Sequence, residues 1–128
     1  MIRMTAAEFR EKFGKGSRKK AKYRNKICYW NGLKFDSIRE RDRFIELLDM
    51  QRHGVITGLR RQVPFELIPE HWENGEKIEN KCEYVADFVY RDAYGITVVE
   101  DAKGCRTKDY IIKRKLLLDK YGIRIREV

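Results

Sequence analysis

The chain has 128 residues, 42% of them hydrophobic and 38% charged, which fits a single domain with a core of its own. No apolar run approaches the roughly 18 residues of a membrane span, and the opening MIRMTAAEFREKFGKG holds no signal-peptide core, so a cytoplasmic protein is expected. The formal charge of +9 points to a phosphate-bearing partner such as nucleic acid, where binding releases condensed counterions, while three scattered cysteines without CxxC spacing favour neither a zinc ribbon nor a disulfide framework.

Residues 5–13, TAAEFREKF, read as a short helix with Thr5 as its cap. A basic arm follows, in which Lys15, Arg18, Lys19, Lys20, Lys22, Arg24 and Lys26 occur with no acid among them. Gly14, Gly16 and Ser17 make it a flexible arm rather than a packed element. Residues 26–35 alternate like a short hairpin, with Asn31-Gly32 supplying the turn. Residues 1–35 thus form an N-terminal extension to a core of residues 36–128.

The clearest helix is DSIRERDRFIELLDMQRHG. Asp36 or Ser37 caps it, Ser37 and Glu40 have capping-box spacing, and Gly54 ends it. Its apolar stripe is Phe44, Ile45, Leu47 and Leu48. Counting back four from Phe44 or seven from Leu47 reaches Glu40, at the edge of the buried face. Residues 55–70 are β-rich, and Pro64 suggests an edge position or a bulge. HWENGEKIENK reads as a polar loop turning at Asn74-Gly75. CEYVADFVY and ITVVEDAKG are two strands of a hairpin joined by RDAYG. TKDYIIKRKLLLDKYG is a second helix with Thr107 as N-cap and Gly122 beyond its end, and IRIREV closes the chain as a strand.

Chemistry concentrates at the end of the second hairpin strand, VVEDAKG. Residues two apart in a strand share a face, so Asp101 shares one with Lys103, whereas Glu100 lies with Val98 and Ala102 as an outward or supporting carboxylate. Asp87, between Ala86 and Phe88 in the preceding strand, needs a partner, because an unpaired buried carboxylate is costly. A five-residue RDAYG loop pairs Tyr90 with Ile96 and makes Asp87 and Asp101 diagonal neighbours on one face. A four-residue loop sets Asp87 beside Glu100 instead. Two carboxylates and a backbone carbonyl form a hard-oxygen site suited to Mg²⁺ or Mn²⁺, and a lysine beside it orients water and offsets charge on a phosphate.

Asp87, followed across a hairpin by Asp101-Ala102-Lys103, resembles the PD-(D/E)XK nuclease signature, with Ala86 where the motif name has proline. The pattern FDSIRE, LRRQVPFEL, YVADFVY, VVEDAKG and TKDYIIKRKLLL is also similar to a small phage- and prophage-associated family catalogued as of unknown function. The resemblance implies an α/β, restriction-endonuclease-like αβββαβ core, a central mixed sheet flanked by helices. It implies Asp87 and Asp101 as metal-binding acids, Lys103 as the motif lysine, and Glu40 as the extra acid found in Holliday-junction resolvases. The activity implied is Mg²⁺-dependent hydrolysis of DNA, with four-way junctions or other branched DNA in phage recombination or packaging as the expected substrate. A homodimer is expected, since symmetric cutting of two strands needs two sites.

Gln62 either lines the site or is an ordinary strand residue; Lys113 and Lys115 on the second helix either reach phosphates or form a solvated face. His53 and His71 read as surface or capping residues, and Tyr84, Phe88 and Tyr90 as aromatics sharing the face opposite Asp87. Trp30 and Trp72 either stack on bases or pack. Cys82 and Cys105 come near each other across the hairpin without being expected to bridge. The alternative readings are a non-catalytic DNA-binding protein that keeps a nuclease fold, and an RNA-directed nuclease.

Overall fold

The computed structural model describes residues 26–102 and 106–128. The helix expected at 5–13, the basic arm up to Arg24, Lys103 and Cys105 therefore lie outside the described residues. The chain divides into two compact units between Arg41 and Asp42.

In the first unit, β1 (Cys28–Trp30) and β2 (Leu33–Phe35) form an antiparallel hairpin with Trp30 opposite Leu33. The turn is Asn31-Gly32 at φ of 51° and 79°, the left-handed pair that a two-residue hairpin requires. Helix α1 (Ile38–Arg52) follows directly, and from Asp42 onward it belongs to the second unit. Ser37 is its N-cap, with Ser37 Oγ accepting from the Glu40 backbone N–H at 3.1 Å. Beyond its far end, Gly54 at φ 75° lets the Val55 N–H reach back to the Met50 carbonyl at 2.9 Å. Gln51 Oε1 in the last turn accepts from the Leu59 N–H at 2.9 Å, beside the register shift that opens β3.

The second unit is built on a four-stranded mixed sheet in the order β3, β6, β7, β8. β3 (Thr57–Ile68) is an edge strand antiparallel to β6 (Cys82–Arg91), as Pro64 foretold. β6 is antiparallel to β7 (Thr97–Asp101), and β7 is parallel to β8 (Ile125–Glu127), with Asp101 opposite Glu127. A separate hairpin of β4 (His71–Glu73) and β5 (Glu76–Glu79) occupies the stretch expected to be a loop. Its Asn74-Gly75 turn sets the pairing, and Lys77 lies 5.9 Å from the ring centroid of the opposing Trp72, whose Nε1–H donates to Glu70.

Helix α2 (Lys108–Tyr121) connects β7 to β8. Thr107 Oγ1 accepts from the Tyr110 N–H at 3.1 Å, and Gly122 at φ 69° donates to the Leu118 carbonyl at 2.9 Å, so both expected caps are present. Lys120 Nζ and the Tyr121 hydroxyl both donate to the Glu66 carbonyl, which blunts the edge of β3.

Two sets of apolar contacts hold the sheet. Phe44 of α1 stacks on Phe88 with centroids 6.1 Å apart, and the Arg61 guanidinium lies 5.3 Å from the Phe44 ring centroid. The main core is Leu67, Tyr84, Ala86, Val89, Val99, Tyr110 and Leu117, with Val63 and Phe65 packed against it. No helix among the described residues is long and apolar enough to cross a membrane.

Candidate functional site

The hairpin of β6 and β7 positions the two expected aspartates. Its register pairs Arg91 with Thr97, Tyr90 with Val98 and Phe88 with Glu100, so the next step sets Asp87 opposite Asp101. The loop has five residues, as expected, but it is residues 92–96. Asp92 explains the difference: its carboxylate accepts from the Tyr94 and Ile96 amides at 2.9 and 3.0 Å, closing a turn of the same length shifted one position along the chain. The pairing therefore differs by two residues from the expected one, which keeps the parity. Continued by that one step, the register brings the two carboxylates level across the strands rather than onto a diagonal.

Both are withdrawn from solvent, Asp87 at 8% exposure and Asp101 at 0%. Asp87 Oδ2 accepts from the Ala102 backbone N–H at 2.8 Å, so a side chain takes the amide at the end of β7. Asp101 Oδ2 accepts from the Tyr84 hydroxyl at 2.6 Å. Burial first, and then that bond to Asp101, push the Tyr84 phenol well above its ordinary pKa. The Asp101 main-chain carbonyl accepts from the Val128 N–H at 3.0 Å, tying the end of β7 to the C-terminal strand.

Simple alternation puts Tyr84 on the face away from Asp87, and the structure corrects that expectation. Tyr84 and Ala86 share a core with Val89, Val99 and the α2 residues Tyr110 and Leu117, whereas Phe88 stacks on Phe44 of α1. The same change occurs in β3, where Arg61 meets Phe44 but Val63 and Phe65 pack against the α2 core. Both strands exchange faces at one step of the ladder. Arg61 pairs with Phe88 and Val63 with Ala86, so that step is Gln62 opposite Asp87. Gln62 has φ of 50°. The other non-glycine residues described with positive φ, Asn31 and Asn74, occupy hairpin turns that need it, whereas Gln62 lies inside a strand. Its Nε2 donates to Asp87 Oδ1 at 3.4 Å, and its side chain belongs to an exposed residue.

Glu100 is a second correction. Of the two expected roles, outward or supporting, the outward one fails, because Glu100 is 0% exposed on the α1 side of the sheet. Arg43 holds it in a two-pronged bond, Nε to Oε1 at 2.8 Å and Nη2 to Oε2 at 2.7 Å. The Tyr90 hydroxyl also donates to Oε2, and Arg126 Nη1 donates to that hydroxyl at 3.3 Å. The bond to Glu100 moves Arg43 further above its already high pKa, and burial followed by the bond to Glu100 pushes Tyr90 up to about 12. Each face of β7 thus carries a buried carboxylate. One is neutralised by an arginine; the other stands opposite a second acid.

The remaining candidates are more dispersed. Glu40 is buried at 4% exposure in the first turn of α1, as its spacing implied; it belongs to the first unit and the aspartates to the second. Among the described residues, no group of three or more His, Cys, Asp or Glu side chains gathers so as to hold a metal ion. Lys26 and Lys115 are exposed, and Lys113 pairs with Asp109 at 3.6 Å. His53 Nδ1 lies 2.8 Å from the Asp49 carbonyl at the end of α1, and His71 is exposed in β4. Cys82 is a free thiol.

The family described as "Protein of unknown function (DUF1064)" matches residues 20–126. The chain belongs to this family. No curated protein and no solved structure matches it. The match includes the aspartate pair, Gln62 and Glu40 of this DUF1064 chain, and most of its basic arm from Lys20 onward.

Proposed function

We propose that the chain is a divalent-metal-dependent nuclease that hydrolyses phosphodiester bonds in DNA. The observation that carries this reading is the burial of Asp87 and Asp101 on adjacent strands, one step beyond the Phe88–Glu100 pair of the β6–β7 register, in a chain with formal charge +9. Like charges directly opposite one another destabilise a sheet, and burial sharpens the cost. A divalent cation held by these acids would offset that cost. The element order supports the same reading: with the separate β4–β5 hairpin set aside as an insertion, a helix, three antiparallel strands, a second helix, and a strand parallel to the third follow the αβββαβ sequence of a restriction-endonuclease-like core.

The donors fit the ion. Two carboxylate groups are hard-oxygen ligands, and Mg²⁺ is commonly held by one or two carboxylates, with waters and substrate phosphate completing its shell. Bound there, Mg²⁺ or Mn²⁺ supplies Lewis acidity toward a phosphodiester oxygen. The protein does the positioning. The Ala102 amide and the Gln62 carboxamide orient Asp87, and the Tyr84 hydroxyl orients Asp101. Lys103, two residues beyond Asp101, is the group assigned to orient the attacking water and offset charge on the phosphate. Glu40 enters the ligand set through the resemblance. Full Mn²⁺ affinity in Glu40→Gln removes it from that set.

The arm residues Lys15, Arg18, Lys19, Lys20, Lys22, Arg24 and Lys26, with Lys113 and Lys115, hold the phosphate backbone, giving affinity without sequence information. Lys113 exchanges its bond to Asp109 for a phosphate in that event. A branched substrate such as a four-way junction, cut by a homodimer during phage recombination or packaging, is the form of the activity we favour.

The test is incubation with Mg²⁺ and labelled four-way junction or matched linear duplex, alongside Lys103→Ala. Junction-selective cuts that disappear in the variant are expected. Equal cutting of both substrates keeps the nuclease and removes the branch preference, whereas tight binding without metal-dependent cleavage of either supports a non-catalytic DNA-binding protein.

A further inference from the structure

Gln62 combines three features that ordinary strand chemistry does not require together. Its backbone is left-handed, at φ 50°, inside an otherwise extended strand. An unbranched residue with a Cβ is strained there, and such strain persists where the surroundings hold it in place. It stands at the ladder step where β3 and β6 both exchange faces, opposite Asp87. Its carboxamide donates to Asp87 Oδ1, while the Ala102 amide holds Oδ2. Asp87 therefore receives one donor on each oxygen, from β3 and from the end of β7. Two donors from opposite sides fix the plane of a carboxylate, and that plane decides where its lone pairs point.

The backbone geometry explains how an edge-strand residue reaches this acid. A left-handed residue turns the strand locally, so Arg61 can meet the α1 side and Val63 the α2 side. At the turning point the side chain is neither in the core nor directed simply outward. Gln62 is exposed while bonded to an aspartate that is 8% exposed, so the bond links a buried acid to a surface residue.

We propose that Gln62 is a positioning residue that orients Asp87 for a divalent cation, and that the strained backbone of β3 is kept because it brings this carboxamide to the acid. This inference rests on the metal-dependent reading above. Second-sphere partners of metal ligands typically change affinity by about 10- to 100-fold when removed, and Gln62 belongs in that range.

The test separates the side chain from its backbone. Gln62→Gly removes the carboxamide and relieves the strain, whereas Gln62→Ala removes the carboxamide and leaves the strain. Mn²⁺ affinity is measured by calorimetry and the metal-free melting temperature by circular dichroism, for both variants and the wild-type chain. The expected result is a loss of affinity of about tenfold or more in both variants, with the melting temperature unchanged or raised in Gln62→Gly and lowered in Gln62→Ala. Affinity that follows melting temperature, or wild-type affinity in Gln62→Gly, overturns the positioning role while leaving the metal site intact. A wild-type chain that binds no Mn²⁺ overturns the metal-dependent reading itself and the inference with it.

Discussion

Arg43→Met is expected to lower the unfolding free energy by about 3–5 kcal/mol, the cost of breaking a buried ion pair from one side. Glu100 is fully buried, and its strongest partner is the Arg43 fork at 2.7 and 2.8 Å. Without the guanidinium, the carboxylate keeps the Tyr90 hydroxyl but loses its charge partner inside the sheet. Adding Glu100→Leu to Arg43→Met should recover much of the loss, because the penalty belongs to the orphaned charge rather than to the absent bridge. Urea unfolding of the two single variants and the double variant measures the coupling directly. A loss below about 1 kcal/mol in Arg43→Met makes the pair no stronger than a surface salt bridge and removes its role in joining α1 to β7.

Asp87→Asn is expected to act in the opposite direction on stability while ending function. Two carboxylates facing one another at a cross-strand distance of about 5 Å repel by about 3 kcal/mol at an effective dielectric constant near 20. Removing one charge should stabilise the metal-free protein by about 1–3 kcal/mol, since asparagine keeps an acceptor for the Ala102 amide. Cleavage should fall about a thousandfold or more if the cation contributes about 4 kcal/mol to the transition state. Mn²⁺ should raise the wild-type unfolding midpoint in proportion to the logarithm of its concentration and leave that of the variant unmoved. If Asp87→Asn instead destabilises the metal-free protein, the acid is a structural one satisfied by its backbone amide. Metal-dependent function would then have to be carried by Asp101 without it.

Much of this arrangement could be read from particular residues. The Asn31-Gly32 and Asn74-Gly75 turns, the Ser37 and Thr107 caps, and Gly54 and Gly122 each place an element boundary through local chemistry. The parity of the β6–β7 pairing was legible for a related reason: it depends on loop length alone. The two-residue difference in register depends on Asp92, whose carboxylate closes the turn by bonding two amides. That capacity belongs to any aspartate near a turn, so the sequence offers no ranking between tip positions.

The corrections share a different cause. Alternation assumes an uninterrupted strand, and β6 exchanges faces opposite Gln62. Glutamine in a strand carries no signal of left-handed backbone, as Asn-Gly does in a turn, so Tyr84 was assigned to the wrong side of Asp87. Glu100 reads as an outward or supporting carboxylate because it shares its face with Val98 and Ala102 and not with Lys103. Its burial follows from Arg43, a partner 57 positions away that only the packing of α1 supplies. The β4–β5 hairpin was missed because its residues are almost uniformly polar and exposed, which leaves strand pairing with no apolar face to announce it.

Calorimetric titration of Mn²⁺ into the metal-free chain and into Asp101→Asn tests the central claim most directly, because it asks whether the opposed aspartates hold a cation without requiring the right nucleic acid. The wild-type chain should bind one or two ions, and Asp101→Asn, shown to be folded by circular dichroism, should bind none. Absence of binding in the wild-type chain, or equal binding in the variant, contradicts a metal site built on Asp87 and Asp101.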